Sequence, residues 1–74
     1  MKVTVRLIGG FMEKLGFREQ AMDLPSGLTA QGLAARLGLK GIPHIVSRNG
    51  AGLRDHDELK DGDRVLVSAM FSGG

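Results

Sequence analysis

Two strand-like segments stand at opposite ends of a 74-residue chain, and its cleanest helical stripe lies between them. Over residues 2–8, Val3, Val5 and Leu7 fall on one face and Lys2, Thr4 and Arg6 on the other. Over residues 64–71, Val65, Val67 and Ala69 again share one face. A period of two marks a half-buried strand. Between these segments Ala30, Leu33, Ala34 and Leu37 recur at i, i+3, i+4 and i+7, the stripe of an amphipathic helix over 30–37. The two end strands are the most regular and most apolar, so they are expected side by side in the centre of a sheet. A helical crossover between them makes the pair parallel.

The other elements read from local punctuation. Phe11 and Leu15, four apart before Gly16, suit a turn and a half of helix. Residues 18–24 read as a second strand ended by Pro25-Ser26-Gly27. Thr29 is placed to cap the main helix and Gly38 to end it. Gly32 inside that helix costs about 1 kcal/mol relative to Ala, which suggests a packing reason. A strand over 44–48 follows Pro43. Asn49-Gly50 is a strong hairpin signal, with a brief extended piece expected at 52–54. Residues 55–60 read as a polar connection with one tight turn capped by Asp57, and Asp61-Gly62-Asp63 as another turn.

One helix and four to five strands make a two-layer α+β domain. A mixed sheet folded over one main helix is the β-grasp, or ubiquitin-like, arrangement, with the whole chain 1–74 as a single domain. Cysteine is absent, so there is no disulfide framework, thiolate metal site or cysteine nucleophile, and the expected compartment is the cytoplasm. The start of the chain has no apolar h-region, which reads against a signal peptide. The longest aliphatic run, Val65-Leu66-Val67, is far too short to span a membrane.

Enzyme signatures fail one by one. No phosphate-binding glycine motif and no H-E-x-x-H occurs. Asp55, His56, Asp57 and Glu58 are consecutive, so their side chains diverge and read as a solvated turn, not a metal site. His44, beside Pro43, reads as a surface residue. A formal charge of +2 without any block of like charge, and three scattered phenylalanines, give no nucleic-acid footprint.

The end of the chain is different. A packed strand runs out through Met70 and Phe71, and Ser72-Gly73-Gly74 follow. With 12 glycines in the chain, two terminal ones arise by composition about 3% of the time. Residues without side chains can thread a narrow channel into another protein's active site. Their carboxylate, once activated, becomes an acyl donor. On this reading 72–74 form a flexible diglycine tail on a rigid domain.

Asp61-Gly62-Asp63-Arg64-Val65, then a strand, then Phe71-Ser72-Gly73-Gly74 resembles the C-terminal signature of the MoaD/ThiS ubiquitin-like sulfur carriers. Leu24-Pro25-Ser26-Gly27-x-Thr29 resembles their turn into the main helix, and the likeness covers essentially the whole chain. The resemblance implies a sulfur-carrying co-substrate and not an enzyme. An E1-like enzyme adenylates the carboxylate of Gly74 with Mg-ATP, no cofactor being bound by the carrier itself. A persulfide donor turns it into a thiocarboxylate, and a synthase accepts the sulfur. Gly73 and Ser72 would thread the channel, while Phe71, Met70 and Ile8 would form an apolar docking patch, no metal being involved.

The segment Gly10–Gly16 resembles the short helix of the molybdopterin-type carriers. It favours the molybdopterin synthase small subunit, partnered by the large subunit, over a carrier for the thiamine thiazole partnered by thiazole synthase. A ubiquitin-like modifier conjugated to lysines and a non-catalytic β-grasp binding module are the alternatives from other classes.

Overall fold

A computed structural model describes residues 1–70. The elements follow as β1 (Lys2–Leu7), α1 (Gly10–Leu15), β2 (Glu19–Asp23), α2 (Ala30–Arg36), β3 (His44–Arg48), β4 (Ala51–Gly52) and β5 (Arg64–Ala69). They form one five-stranded sheet ordered β2-β1-β5-β3-β4. β1 and β5 pair in parallel at its centre, with Val5 opposite Val65 and Leu7 opposite Val67. β2 is antiparallel to β1, and β3 is antiparallel to β5. The expected mixed sheet and parallel central pair are therefore present, in a ubiquitin-like fold.

Alternation sends one face of the sheet inward. Val3, Val5, Leu7, Val65 and Val67 are all 2% exposed or less. With Val46 they join the α2 stripe Ala30, Leu33, Ala34 and Leu37 in a single cluster, closed by Leu24, Leu39, Leu59 and Phe11. Fully burying one such aliphatic side chain contributes about 1.5–3 kcal/mol.

Both ends of α2 are chemically closed. Thr29 Oγ1 accepts from the Gly32 amide at 3.1 Å. The Ala30 and Gln31 amides donate to the carbonyls of Asp57 and Asp55, at 2.9 and 3.1 Å. The polar segment after β4 thus takes up donors that a helix start leaves unpaired. At the other end Gly38, with φ +79°, donates to Ala35 O, and Leu39 donates to Ala34 O. These are the two bonds of a Schellman motif. A Cβ on Gly32 would lie 2.6 Å from Leu28 Cδ1. An alanine there would have to shift the half-buried Leu28 side chain.

Several boundaries and one residue differ from expectation, β1 and α2 each ending one residue early, at Leu7 and Arg36. β4 is Ala51–Gly52 and not 52–54. Asn49 and Gly50 both have positive φ, 54° and 79°, a two-residue turn of the I′ kind. Pairing therefore resumes at once, Arg48 opposite Ala51. β2 is one residue shorter at each end than 18–24, although the Leu24 amide still bonds Met1 O at 2.8 Å and its side chain is buried in the core. β5 closes at Ala69, and Phe71 lies outside the described residues. His44 is not a free surface residue: it is half-buried and its Nδ1 lies 2.7 Å from Ile42 O. The Asp57 carboxylate does close a turn, accepting from the Arg54 amide at 2.8 Å.

Candidate functional site

The outward face of the sheet is built by the same alternation as the core, yet it is not uniformly polar. Thr4, Arg6 and Ile8 on the β1 side alternate with the buried valines, as do Arg64, Leu66 and Ser68 on β5 and Ile45 and Ser47 on β3. Arg6 lies opposite Leu66, which lies opposite Ser47. Ile45 lies opposite Ser68. The Ile8 amide continues the central ladder by donating to Val67 O at 3.0 Å.

Among the described residues, four large apolar side chains are left exposed: Ile8 at 45%, Met12 at 37%, Ile45 at 39% and Met70 at 51%. Leu66 is half-buried. Ile8, Met12 and Leu66 line one shallow hollow with Arg6 and Arg18. Because β1 and β5 are parallel, Ile8 and Met70 leave the sheet at the same end. The Met70 amide still bonds Pro43 O at 3.3 Å.

Two of the expected docking residues, Ile8 and Met70, are therefore exposed at the end of the central strands from which the chain runs on to Gly74. Phe71, Ser72, Gly73 and Gly74 lie outside the described residues. Leu66, Ile45 and Met12 were missed. The signal for Leu66 is present in Val65-Leu66-Val67: three consecutive aliphatics in a strand cannot all face inward.

The opposite end of the central pair is polar and tightly bonded. Asp63 Oδ2 accepts from the Lys60 amide and from the Arg48 guanidinium, each at 2.7 Å. Asp63 O receives the Thr4 amide at 2.9 Å, and Asp61 Oδ1 receives the Lys2 amide at 2.7 Å. Gly62, with φ +85°, makes the turn that allows this. Burial pushes the Asp63 carboxyl upward, but the Lys60 amide and the Arg48 charge outweigh it and hold it below the usual carboxylate range. Asp61-Gly62-Asp63 therefore sets the register of β1, β3 and β5 and is structural. Among the described residues, no group of three or more His, Asp or Glu side chains is placed to hold a metal ion. No helix there is long and apolar enough to cross a membrane.

The ThiS family matches residues 5–74. No curated protein matches the sequence. Among solved structures, molybdopterin converting factor subunit 1 of Pyrococcus furiosus, a name assigned to it provisionally, superposes with a TM-score of 0.82. It is 25% identical, over 93% of this chain and 97% of that one. Small archaeal modifier protein 1 of Haloferax volcanii gives 0.77 at 17% identity, over 92% and 95%. Subunit 1 in a complex of subunits 1 and 2 of molybdopterin-converting factor from Helicobacter pylori 26695 is a further relative in fold. It gives 0.64 at 23% identity, over the full length of both chains. The match across all but the first four residues, on a ubiquitin-like sheet with the expected parallel centre, shows that the chain belongs to the ThiS family of MoaD/ThiS-type sulfur carriers, small proteins that are not themselves catalysts.

Proposed function

We propose that this chain carries sulfur as a thiocarboxylate on Gly74. The observation that carries the reading is the family match itself, which extends over Gly73-Gly74. An E1-like enzyme adenylates the Gly74 carboxylate with Mg-ATP. Adenylation releases pyrophosphate; the outer sulfur of a persulfide donor then displaces AMP, and a second thiol cleaves the resulting acyl disulfide, leaving the thiocarboxylate on Gly74 and a disulfide on the donor. Ser72 and Gly73 thread the activating enzyme's channel. Phe71, Met70 and Ile8, joined by Leu66 and Ile45, form the docking surface. The whole cycle is placed in the cytoplasm.

The acceptor we favour is the large subunit of molybdopterin synthase. The likeness to two proteins named as subunit 1 of molybdopterin converting factor supports it, as does the short helix α1 between β1 and β2. A thiazole synthase is the alternative acceptor. A second reading, conjugation to lysines, is favoured by the likeness to a small archaeal modifier.

The test is ATP–pyrophosphate exchange by the host's adenylating enzyme with the full chain as substrate. Exchange that depends on the chain, and is lost when Gly73-Gly74 is removed, is the expected result. Exchange unaffected by that deletion would sink the reading. Mixing thiocarboxylated chain with each synthase then decides the acceptor by which one removes the sulfur. Lysine-containing peptides bearing a remnant of this C-terminus would favour the second reading.

A further inference from the structure

The chain has no cysteine, so its four methionines hold all of its side-chain sulfur. They fall into two classes. Met1 and Met22 are half-buried and pack against the core. Met12 and Met70 are exposed, and Met70, at 51%, is the most exposed large apolar side chain among the described residues. Ala69 before it is half-buried, so Met70 is where β5 leaves the cover of the domain. The bond from its amide to Pro43 O holds its backbone in place. Its side chain borders a hollow together with Ile45, Leu53 and Arg54. Only Phe71, Ser72 and Gly73 separate it from Gly74. Four extended residues span at most about 14 Å. An enzyme that takes Gly74 into its active site therefore comes within that distance of Met70.

We infer that Met70 is a reversible oxidation site whose sulfoxide takes the carrier out of the sulfur relay. The modification follows from exposure and position; its consequence rests on the sulfur-carrier reading. A hydroperoxide is the oxidant. The thioether sulfur attacks one peroxide oxygen, the O–O bond breaks, and with hydrogen peroxide the second oxygen leaves as water. Sulfur gives up two electrons and gains one S–O bond. A dithiol reductase reverses the step, forming its own disulfide and releasing the oxygen as water. Oxidation replaces an adaptable apolar side chain with a polar one. Pressed into an apolar contact beside Ile45, the sulfoxide oxygen loses its hydrogen bonds to water, which weakens binding. In the free chain the Arg54 guanidinium borders the same hollow and is a donor for that oxygen. Each difference favours the unbound carrier.

The test treats the full chain, in its carboxylate form, with hydrogen peroxide, removes the peroxide with catalase, and maps sulfoxide on peptides over time. Met70 is expected to oxidise first, Met12 next, and Met1 and Met22 last. The oxidised chain is then the varied substrate for ATP–pyrophosphate exchange by the host's adenylating enzyme. Its kcat/KM is expected to fall about tenfold with kcat unchanged, and to recover after treatment with methionine sulfoxide reductases. Met70→Leu, whatever its starting kcat/KM, should change less than about twofold under the same treatment. Met70→Gln, polar at the same position, should show the loss without peroxide. Thermal melts before and after treatment check that the core is intact.

Oxidation of Met1, Met12 or Met22 ahead of Met70 overturns the assignment of the site. Complete oxidation of Met70 with kcat/KM unmoved overturns the switch and leaves the sulfur-carrier reading standing. An equal loss in peroxide-treated Met70→Leu also overturns the switch, since oxidation elsewhere would then account for the effect. No exchange with untreated wild type overturns the sulfur-carrier reading and the switch together, while the peptide map still decides the oxidation site.

Discussion

The two faces of the sheet are drawn from the same strands, six residues each in β1 and β5, and they obey opposite rules. On the inner face Val3, Val5, Val65 and Val67 are at most 1% exposed. On the outer face Ile8 and Ile45 keep 45% and 39% of their surface in water. Apolar residues placed outward contribute little to folding, because burial is what stabilises. The inner face accounts for why the chain folds. The outer one carries apolar side chains that folding does not use, and the proposed docking rests on them.

That contrast is open to attack from both sides. The largest expected effect is on the inner face: Leu33→Ala, at a position 0% exposed, should cost about 2–5 kcal/mol in urea unfolding. A cost below 1 kcal/mol would mean that α2 is not packed as described. Next comes the polar end. Arg48→Ala removes the 2.7 Å partner of Asp63 and should cost about 1–2 kcal/mol, since the Asp63 side chain is only 16% exposed.

The same carboxylate gives a pH signature. Its folded pKa lies below the ordinary value. Its contribution is therefore present above the unfolded pKa of about 3.9 and is lost as pH falls through the lower folded value. Thermal melts from pH 6 down to pH 2, wild type against Asp63→Asn, should show a flatter acid limb in the variant. Parallel curves would remove Asp63 from the account. The smallest stability effect is expected outside: Ile8→Ser should stay within about 0.5 kcal/mol of wild type. Yet it should lower kcat/KM for activation about tenfold. A variant that is destabilised but activated normally would reverse the assignment of the two faces.

How much of this was legible in advance follows from the range of each signal. Alternation and the α2 stripe are local and strong, so the central pair, the crossover helix and its Thr29 and Gly38 caps were readable from the sequence. Asn49-Gly50 revealed the hairpin but not that pairing resumes at Ala51, which depends on the turn geometry. His44 reads as exposed because no local pattern reports the Ile42 carbonyl 2.7 Å from its ring. The segment 55–58 reads as a bare solvated turn. Its role, lending the Asp55 and Asp57 carbonyls to the start of α2, is a contact across more than twenty residues.

The docking residues divide in the same way. Ile8 was suggested by its place after an alternating strand. Leu66 and Ile45 were not named as docking residues, although adjacent aliphatics in a strand must occupy both faces. That Arg6 borders one hollow with Arg18 and another with Arg64 was not legible, because it requires β1 to pair with both β2 and β5.

The most direct test of the sulfur-carrier account uses the absence of cysteine from the chain. Protein purified from its own host is alkylated with a thiol-specific reagent and the label is located on the C-terminal peptide. Sequencing that peptide matters, because exchanging oxygen for sulfur adds about 16 Da, close to the oxidation of one methionine. The account predicts a label on Gly74 that increases after incubation with the host's adenylating enzyme, ATP and a sulfur source. A chain that takes no label under those conditions, at Gly74 or anywhere else, would contradict it.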